Sequence, residues 1–379
     1  MPVCPRTPRR LVTPPGALDR WMQPHLVATP PYVPVEPPDE VAQRVGLPPE
    51  RIVKLDANEN PYGPSPKVVA ALAKAGNYHI YPDPEQRKVR AALGRYAGFE
   101  PEWVVAGAGS DELIDLLVRL FVPPGESILN FPPSFSFYPF LASVQGANVV
   151  NVQRRADHTI DLESALIAAN NARLTVVASP NNPSGTLLPR ADVETLAQLG
   201  RPLAIDEAYT EFAGESCVDL VRTYPNLIVL RTLSKWAGLA GLRIGYMVAD
   251  PSLVEVIMRV KQPYNVNAAA EIAVLASMDD LPYLQGLVQK IVMEKQRLEV
   301  ELAKLPGFEV SPSSANFLLC RLSGVSAREV HARLIERGIL VRYFDTPLLQ
   351  NHLRISAGRP DQTDALLAAL REIIAMAKV

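Results

Sequence analysis

Hydrophobic and polar positions along this chain follow two alternating rhythms. Short, almost continuous apolar runs occur at 52–55, 103–106, 127–130, 147–152, 174–178, 203–206, 227–230 and 244–248. Runs of that length, bounded by turn residues, predict buried strands. Between most of them the apolar residues recur at helical spacing, as at 67–75, 85–98 and 111–121. The alternation predicts an α/β domain whose mainly parallel sheet is sandwiched by helices. Past Pro263 the texture changes. A long helix is predicted over 268–305, stopped by Pro306, then strands at 317–321, 340–342 and 352–356 with helices at 327–337 and from 362 onward. This part predicts a smaller α+β domain. At the other end, 13 of the 36 prolines precede residue 50. That arm is expected to be extended, with one short helix near 39–45 that Pro37-Pro38 and Asp39 would start. The predicted organisation is an N-terminal tail and arm over 1–50, a large domain over 51–264 and a small C-terminal domain over 265–379.

Composition narrows the classes of function. The chain has 379 residues, 48% of them hydrophobic and 21% charged, with a formal net charge of −2. No global basic field points to nucleic acid or an anionic membrane, and no apolar stretch approaches the length of a membrane helix. Cys4, Cys217 and Cys320 are too few and too widely spaced for a disulfide framework or a metal site, which favours a reducing compartment such as the cytoplasm. Residues 1–21 carry several arginines but also helix-breaking prolines and no apolar core. They read as a disordered tail rather than a targeting peptide, with Met22 as an alternative start.

Candidate chemistry clusters where predicted strands end. The stretch 230–245 delivers Ser234 and Lys235 side by side on a glycine-rich loop, with Arg243 close behind. A lysine in such company suits a Schiff base with a phosphorylated carbonyl compound, the chemistry of pyridoxal phosphate; taken alone it is a solvated lysine. Gly107-Ala108-Gly109-Ser110-Asp111 stands at a strand-to-helix turn, where backbone N–H groups hold phosphate, although glycine-rich turns are common. Asn182 lies between two prolines, in a turn that is otherwise only rigid. Asp206 ends an apolar strand, and a half-desolvated carboxylate there needs a cation such as a protonated pyridine nitrogen, or else caps a helix. Tyr209 follows three residues later. Phe135, after the strand at 127–130, stacks on a ring or packs in the core.

The order of these motifs decides between the readings. The stretches LDANENPYGP, YPDP, GSDELIDLL, FPPSFSFY, SPNNPSG, DEAYTEF, TLSKWAGLAGLRIGY and LRISAG resemble the fold-type-I pyridoxal-phosphate aminotransferases, and among them the histidinol-phosphate aminotransferase family. The likeness runs from about residue 30 to residue 372. It implies that Lys235 carries the cofactor and moves the proton between the substrate's Cα and the cofactor, that Asp206 pairs with the pyridinium, and that Asn182 and Tyr209 bond the ring oxygen. Ser234, Arg243 and the N–H groups of Gly109 and Ser110 are implied to hold the phosphate, with Asp111 among the cofactor-binding residues and Phe135 on the ring face. Tyr81 is implied to reach the phosphate of a partner subunit, making a homodimer. For the substrate, the resemblance implies Arg354 on a carboxylate, Arg342 on the substrate phosphate, Asn182 nearby and Tyr32 from the partner's arm. The expected reaction is amino transfer between histidinol phosphate and 2-oxoglutarate, with no metal. An aromatic amino acid aminotransferase is the nearest alternative. A threonine-phosphate decarboxylase is more remote, because LDANENPYGP follows the aminotransferase wording. A ligand-sensing transcription regulator would need a DNA-binding domain for which the arm has no room.

Overall fold

A computed structural model describes Gly16 and residues 18–376. Most of the expected tail, with Cys4, lies outside those residues. The twelve strands, in chain order, are β1 (Val53–Leu55), β2 (Val104–Gly107), β3 (Ser127–Asn130), β4 (Asn148–Asn151), β5 (Leu174–Ala178) and β6 (Leu203–Asp206), followed by β7 (Leu227–Thr232), β8 (Gly245–Val248), β9 (Phe308–Val310), β10 (Phe317–Leu322), β11 (Ile339–Tyr343) and β12 (His352–Ser356). They form two sheets. The larger has the order β2-β8-β7-β6-β5-β3-β4 and the smaller β1-β11-β12-β10-β9.

In the larger sheet β3, β4, β5, β6 and β7 run parallel, and β8 lies antiparallel between β2 and β7. Strand side chains alternate between faces, and here both faces are apolar. Val104, Ile205 and Val229 feed one core, which holds Trp236; Val105, Ala204 and Ile228 feed the other, with the helix Ser110–Phe121 laid over them. That explains why the strands read as unbroken apolar runs. The helix buries Leu113, Ile114, Leu116, Leu117 and Val118, and each fully buried leucine contributes about 1.5–3 kcal/mol. The smaller sheet has a core of its own, including Leu318, Cys320, Leu353 and Leu366.

Three local readings differ from the structure. The stretch expected as one helix over 268–305 is two, Ala268–Met278 and Leu281–Ala303. Pro282 is the cause, since proline fits only the first turn of a helix. Periodicity alone runs straight through the break. The run at 52–55 reads as the first strand of the large domain, yet β1 pairs in parallel with β11, Val53 opposite Ile339, at the edge of the smaller sheet. Within the expected tail, Asp19–Trp21 form a turn of 3-10 helix, and Pro24–Ala28 form a short helix just beyond it. Among the described residues no helix is long and apolar enough to cross a membrane.

Leu117→Ala is expected to lower the unfolding free energy by about 2–5 kcal/mol, whereas Ile167→Ala, at an exposed helix position, should stay within about 0.5 kcal/mol. Urea denaturation of both variants reads the contrast.

Candidate active site

The parallel strands end on one edge, and the register puts Ala178, Asp206 and Leu230 in one row there. In an open α/β sheet a ligand binds beyond the carboxyl ends of the strands. A cavity of about 640 Å³ opens at this edge, and Lys235, Asp206, Tyr209, Asn182, Phe135 and Arg354 line it. Ser110, Asp111, Ser234, Arg243, Arg342 and Tyr32 also line it. Of the residues singled out in the sequence, Gly109 stands just behind the wall and Tyr81 is the one held apart.

Lys235 is partly buried, with Nζ donating to the Ala57 carbonyl at 2.9 Å. Burial pulls its amine down to about 8, and the charge of Arg354 pulls in the same direction. An amine so close to neutrality is easily deprotonated, the form needed both to attack a carbonyl and to accept a proton.

Asp206, at the end of β6, is almost fully buried. Tyr138 Oη donates to Oδ2 at 2.6 Å and the Ala208 N–H to Oδ1 at 3.1 Å. Among the described residues no lysine, arginine or histidine pairs with it. Burial pushes the carboxyl up to about 6, against the pull of those two donors. A lone buried carboxylate facing a cavity suits a ligand that brings its own positive N–H.

Arg354 on β12 is the mirror case. It is buried, yet its guanidinium hydrogen-bonds only to neutral oxygens, with NH1 donating to Asn182 Oδ1 at 2.6 Å and NH2 to the Asp56 carbonyl. Its Nε has no partner. Burial lowers it to about 10, and Tyr209 acts in the opposite sense. Arg342 stands directly opposite on β11 and donates to the Val33 and Pro34 carbonyls at 3.1 and 3.4 Å. Like charges across a strand pair repel; Asp56 acts on Arg354 from a distance, and among the described residues neither arginine forms an ion pair with a carboxylate.

The phosphate corner is built on close backbone approach. Gly109 has φ +82°, and a Cβ there would come within 2.5 Å of the Arg243 guanidinium. Its own N–H is spent on the Gly107 carbonyl at 2.8 Å, which corrects the expectation that this group is a phosphate donor. Ser110 and Asp111 open the helix behind it, where N–H groups have no intrahelical acceptor. Arg243, itself left-handed at φ +53°, holds Asp111 at 2.8 Å. Ser234 Oγ lies 2.9 Å from Thr232 Oγ1. A dianion here would meet a helix N-terminus, an arginine and a hydroxyl. The donor set therefore fits a phosphorylated pyridine aldehyde: cations at one end, a carboxylate for the ring nitrogen and a near-neutral amine for the aldehyde.

Phe135 stands edge-on to Tyr138 with ring centroids 5.5 Å apart. Tyr32 packs edge-on against Phe137 and Phe140 of its own chain; its arm folds back over the same subunit's cavity, where a partner's Tyr32 was expected. Tyr81 is 77% exposed, stacked on Tyr264 with centroids 4.4 Å apart. Sequence reasoning missed Tyr138 and Asn58. The signal for Tyr138 was a phenol hydroxyl in the aromatic run FSFYPF, one helical turn beyond Phe135. For Asn58 it was the crowding of Asp56, Asn58 and Asn60 straight after an apolar strand.

Comparison with known proteins agrees with this geometry. The sequence profile described as "Aminotransferase class I and II" matches residues 50–370, and the chain belongs to that family. It is 50% identical over 369 residues to the histidinol-phosphate aminotransferase of Roseiflexus castenholzii, covering 95% of this chain and 100% of that one. It is 43% identical over 360 residues to the chloroplastic histidinol-phosphate aminotransferase of Nicotiana plumbaginifolia, covering 93% and 86%. The crystal structure of the Sinorhizobium meliloti histidinol-phosphate aminotransferase in complex with pyridoxal-5'-phosphate superposes with a TM-score of 0.86 at 30% identity, covering 94% of this chain and 98% of that one. An L-threonine-O-3-phosphate decarboxylase from Porphyromonas gingivalis, 23% identical with a TM-score of 0.76 over 86% of this chain and 100% of that one, shares the fold.

In the cofactor-free protein Asp206 has a folded pKa of about 6 against an ordinary 3.8. The folded state then binds a proton that the unfolded state has released. Stability from this group is present at low pH and is lost as pH rises from about 4 through 6, by about 3 kcal/mol in all. Asp206→Asn is expected to remove that fall. Denaturant unfolding of both cofactor-free proteins at pH 4.5 and 7.5 checks it, the variant gaining on wild type at the higher pH.

Proposed function

We propose that the chain is a histidinol-phosphate aminotransferase, converting L-histidinol phosphate and 2-oxoglutarate into imidazole acetol phosphate and L-glutamate, with pyridoxal phosphate as cofactor. The observation that carries the reading is the pair of arginines without an ion-pair partner, Arg342 opposite Arg354, at a cavity that also holds a near-neutral lysine. Bound pyridoxal phosphate supplies the electron sink that lets the substrate's Cα–H be removed.

The remaining work falls to this chain's side chains. Lys235 would bear the cofactor, and its amine is the group placed to hold and move the proton at the substrate's Cα. Asp206 receives the ring N–H, and Tyr138 holds it in place. Asn182 has its Oδ1 engaged by Arg354, so its NH₂ is the end left to donate to the ring oxygen, beside Tyr209. Phe135 covers the ring face. Ser234, Arg243 and the backbone N–H groups of Ser110 and Asp111 form the phosphate end. Arg354 takes the α-carboxylate of glutamate with its planar fork. Histidinol phosphate has a phosphate ester in place of that carboxylate, and a dianion of that size draws on both Arg354 and Arg342, with Tyr32 alongside.

Assembly and organisation form part of the same reading. Tyr78, Ile80 and Tyr81 form an exposed, largely apolar surface. A second copy of the chain would cover it and receive Tyr81 at its own phosphate end, as a homodimer. The arm over 1–50, the large unit over 51–264 and the small unit over 265–379 serve as cover, cofactor platform and substrate clamp. The cytoplasm suits a protein whose Cys217 and Cys320 are free and buried.

Two measurements test the function. Lys235→Ala should lower turnover by at least about 10²–10⁴-fold and leave the cofactor removable by dialysis; turnover near the wild-type rate sinks the assignment. Arg342→Ala should raise KM for histidinol phosphate by about tenfold or more, the scale of a charge-assisted hydrogen bond, and disturb the glutamate half-reaction less. Half-reactions with histidinol phosphate, glutamate and phenylalanine are followed in parallel by absorbance. Fast phenylalanine conversion with histidinol phosphate turnover indifferent to Arg342 would instead mark an aromatic amino acid aminotransferase.

A further inference from the structure

Asn58 is almost completely buried and holds a left-handed backbone, φ +56°, on the loop that follows β1. Each of its polar groups has a partner. The backbone N–H donates to Ser356 Oγ at 3.0 Å, and Ser356 Oγ in turn lies 2.9 Å from Asn58 Oδ1. The backbone carbonyl accepts from Asn316 Nδ2 at 3.1 Å. The side-chain Nδ2 donates to Tyr209 Oη at 2.9 Å.

With the Asn58 amide oxygen on Ser356 Oγ, counting protons gives the direction of this chain of bonds. A backbone N–H has nothing to accept with, so Ser356 accepts from Asn58 and spends its one hydroxyl proton on Oδ1. The amide is thereby pinned with its NH₂ towards Tyr209, and an NH₂ donates only. Tyr209 Oη must accept on that side, which leaves its single proton to point elsewhere. The ring lies edge-on to Phe317, centroids 5.0 Å apart, and the residue lines the cavity. Burial raises the phenol's pKa, with Arg354 and the Asn58 bond pulling the other way, so it keeps that proton at neutral pH.

We propose that Asn58 is a positioning residue: with Ser356 it turns the Tyr209 hydroxyl into a donor aimed into the cavity, at an oxyanion on the ligand. On the cofactor reading above, which this inference deepens, the oxyanion is the ring oxygen of pyridoxal phosphate. A hydrogen bond to that oxygen stabilises its ionised form and disfavours protonation of the lysine-linked cofactor. Loss of the donor therefore makes the proton bind more tightly, and the pH midpoint of the cofactor's absorption moves up.

The experiment is a pH titration of holoenzyme absorbance in wild type, Asn58→Gly, Asn58→Asp, Ser356→Ala, Tyr209→Phe and the double variant Asn58→Gly/Tyr209→Phe. Glycine accommodates the positive φ, so the first variant removes the amide without straining the backbone. The aspartate keeps the shape but accepts the tyrosine's proton for itself. Asn58→Gly and Asn58→Asp are expected to raise the midpoint by about one pH unit, the scale of a charge-assisted hydrogen bond. The double variant should titrate where Tyr209→Phe does, because the amide acts only through that hydroxyl. A purely structural role would leave the midpoint unmoved or add its effect on top of Tyr209→Phe, and either result overturns the proposal. If the Asn58 variants do not fold, Ser356→Ala decides: a raised midpoint supports the pinned amide and an unchanged one overturns it. Failure of the underlying reading looks different. Wild type would then show no pH-dependent band with pyridoxal phosphate, or Lys235→Ala would keep a covalently attached cofactor.

Discussion

Asp206 and Arg354 line one cavity, both buried, opposite in charge, and they do not pair. Each is held instead by neutral groups, Asp206 by a phenol and a peptide N–H, Arg354 by an amide and a peptide oxygen. Buried charges without counter-charges are costly, and the simplest relief would be for these two to meet. The scaffold prevents it by placing one at the end of a strand of the larger sheet and the other within the smaller one. The field between them remains unspent, available to a cofactor that is cationic at its ring nitrogen and to a substrate that is anionic. Lys235 stands in the same cavity, and its amine is drawn towards neutrality by burial and by Arg354. Specificity and reactivity thus share an origin in charges the protein declines to satisfy internally.

Much of this was legible before any coordinates. Strands buried on both faces leave continuous apolar runs, and a polar residue that ends such a run, such as Asp206 after Leu203-Ala204-Ile205, stands at the strand tip whatever the rest of the chain does. Lys235, Ser234 and the Gly109–Asp111 turn were visible for the same reason. The arginines were harder. Arg342 and Arg354 gain their meaning from register across β11 and β12, and a one-residue slip would send them to opposite faces.

Other features depend on contacts far apart in sequence and leave no local trace. Tyr138 sits in an apolar helical turn and looks like core until Asp206 is placed beside it. Asn58 looks like a turn residue until Ser356 and Tyr209 arrive from different sheets. β1 is a three-residue run of two apolar residues about a lysine, too short to announce its sheet, so only its partner shows where it belongs. The break between Met278 and Leu281 was marked by Pro282, a local signal that helical periodicity overrode.

The pairing of β1 carries a consequence for how the molecule comes into being. β1 is an edge strand whose one neighbour is β11, beginning at residue 339, and Asn58 is separated from Ser356 by 298 positions along the chain. A ribosome releases the first strand long before its partner exists. The larger sheet can close while the β1 edge and its apolar side chains wait exposed, a hazard for aggregation in a contact this non-local. The substrate side of the pocket is therefore among the last things this polypeptide makes: a nascent chain cut anywhere between β8 and β11 contains Lys235 and Asp206 in full, and neither Arg342 nor Arg354 to meet a substrate.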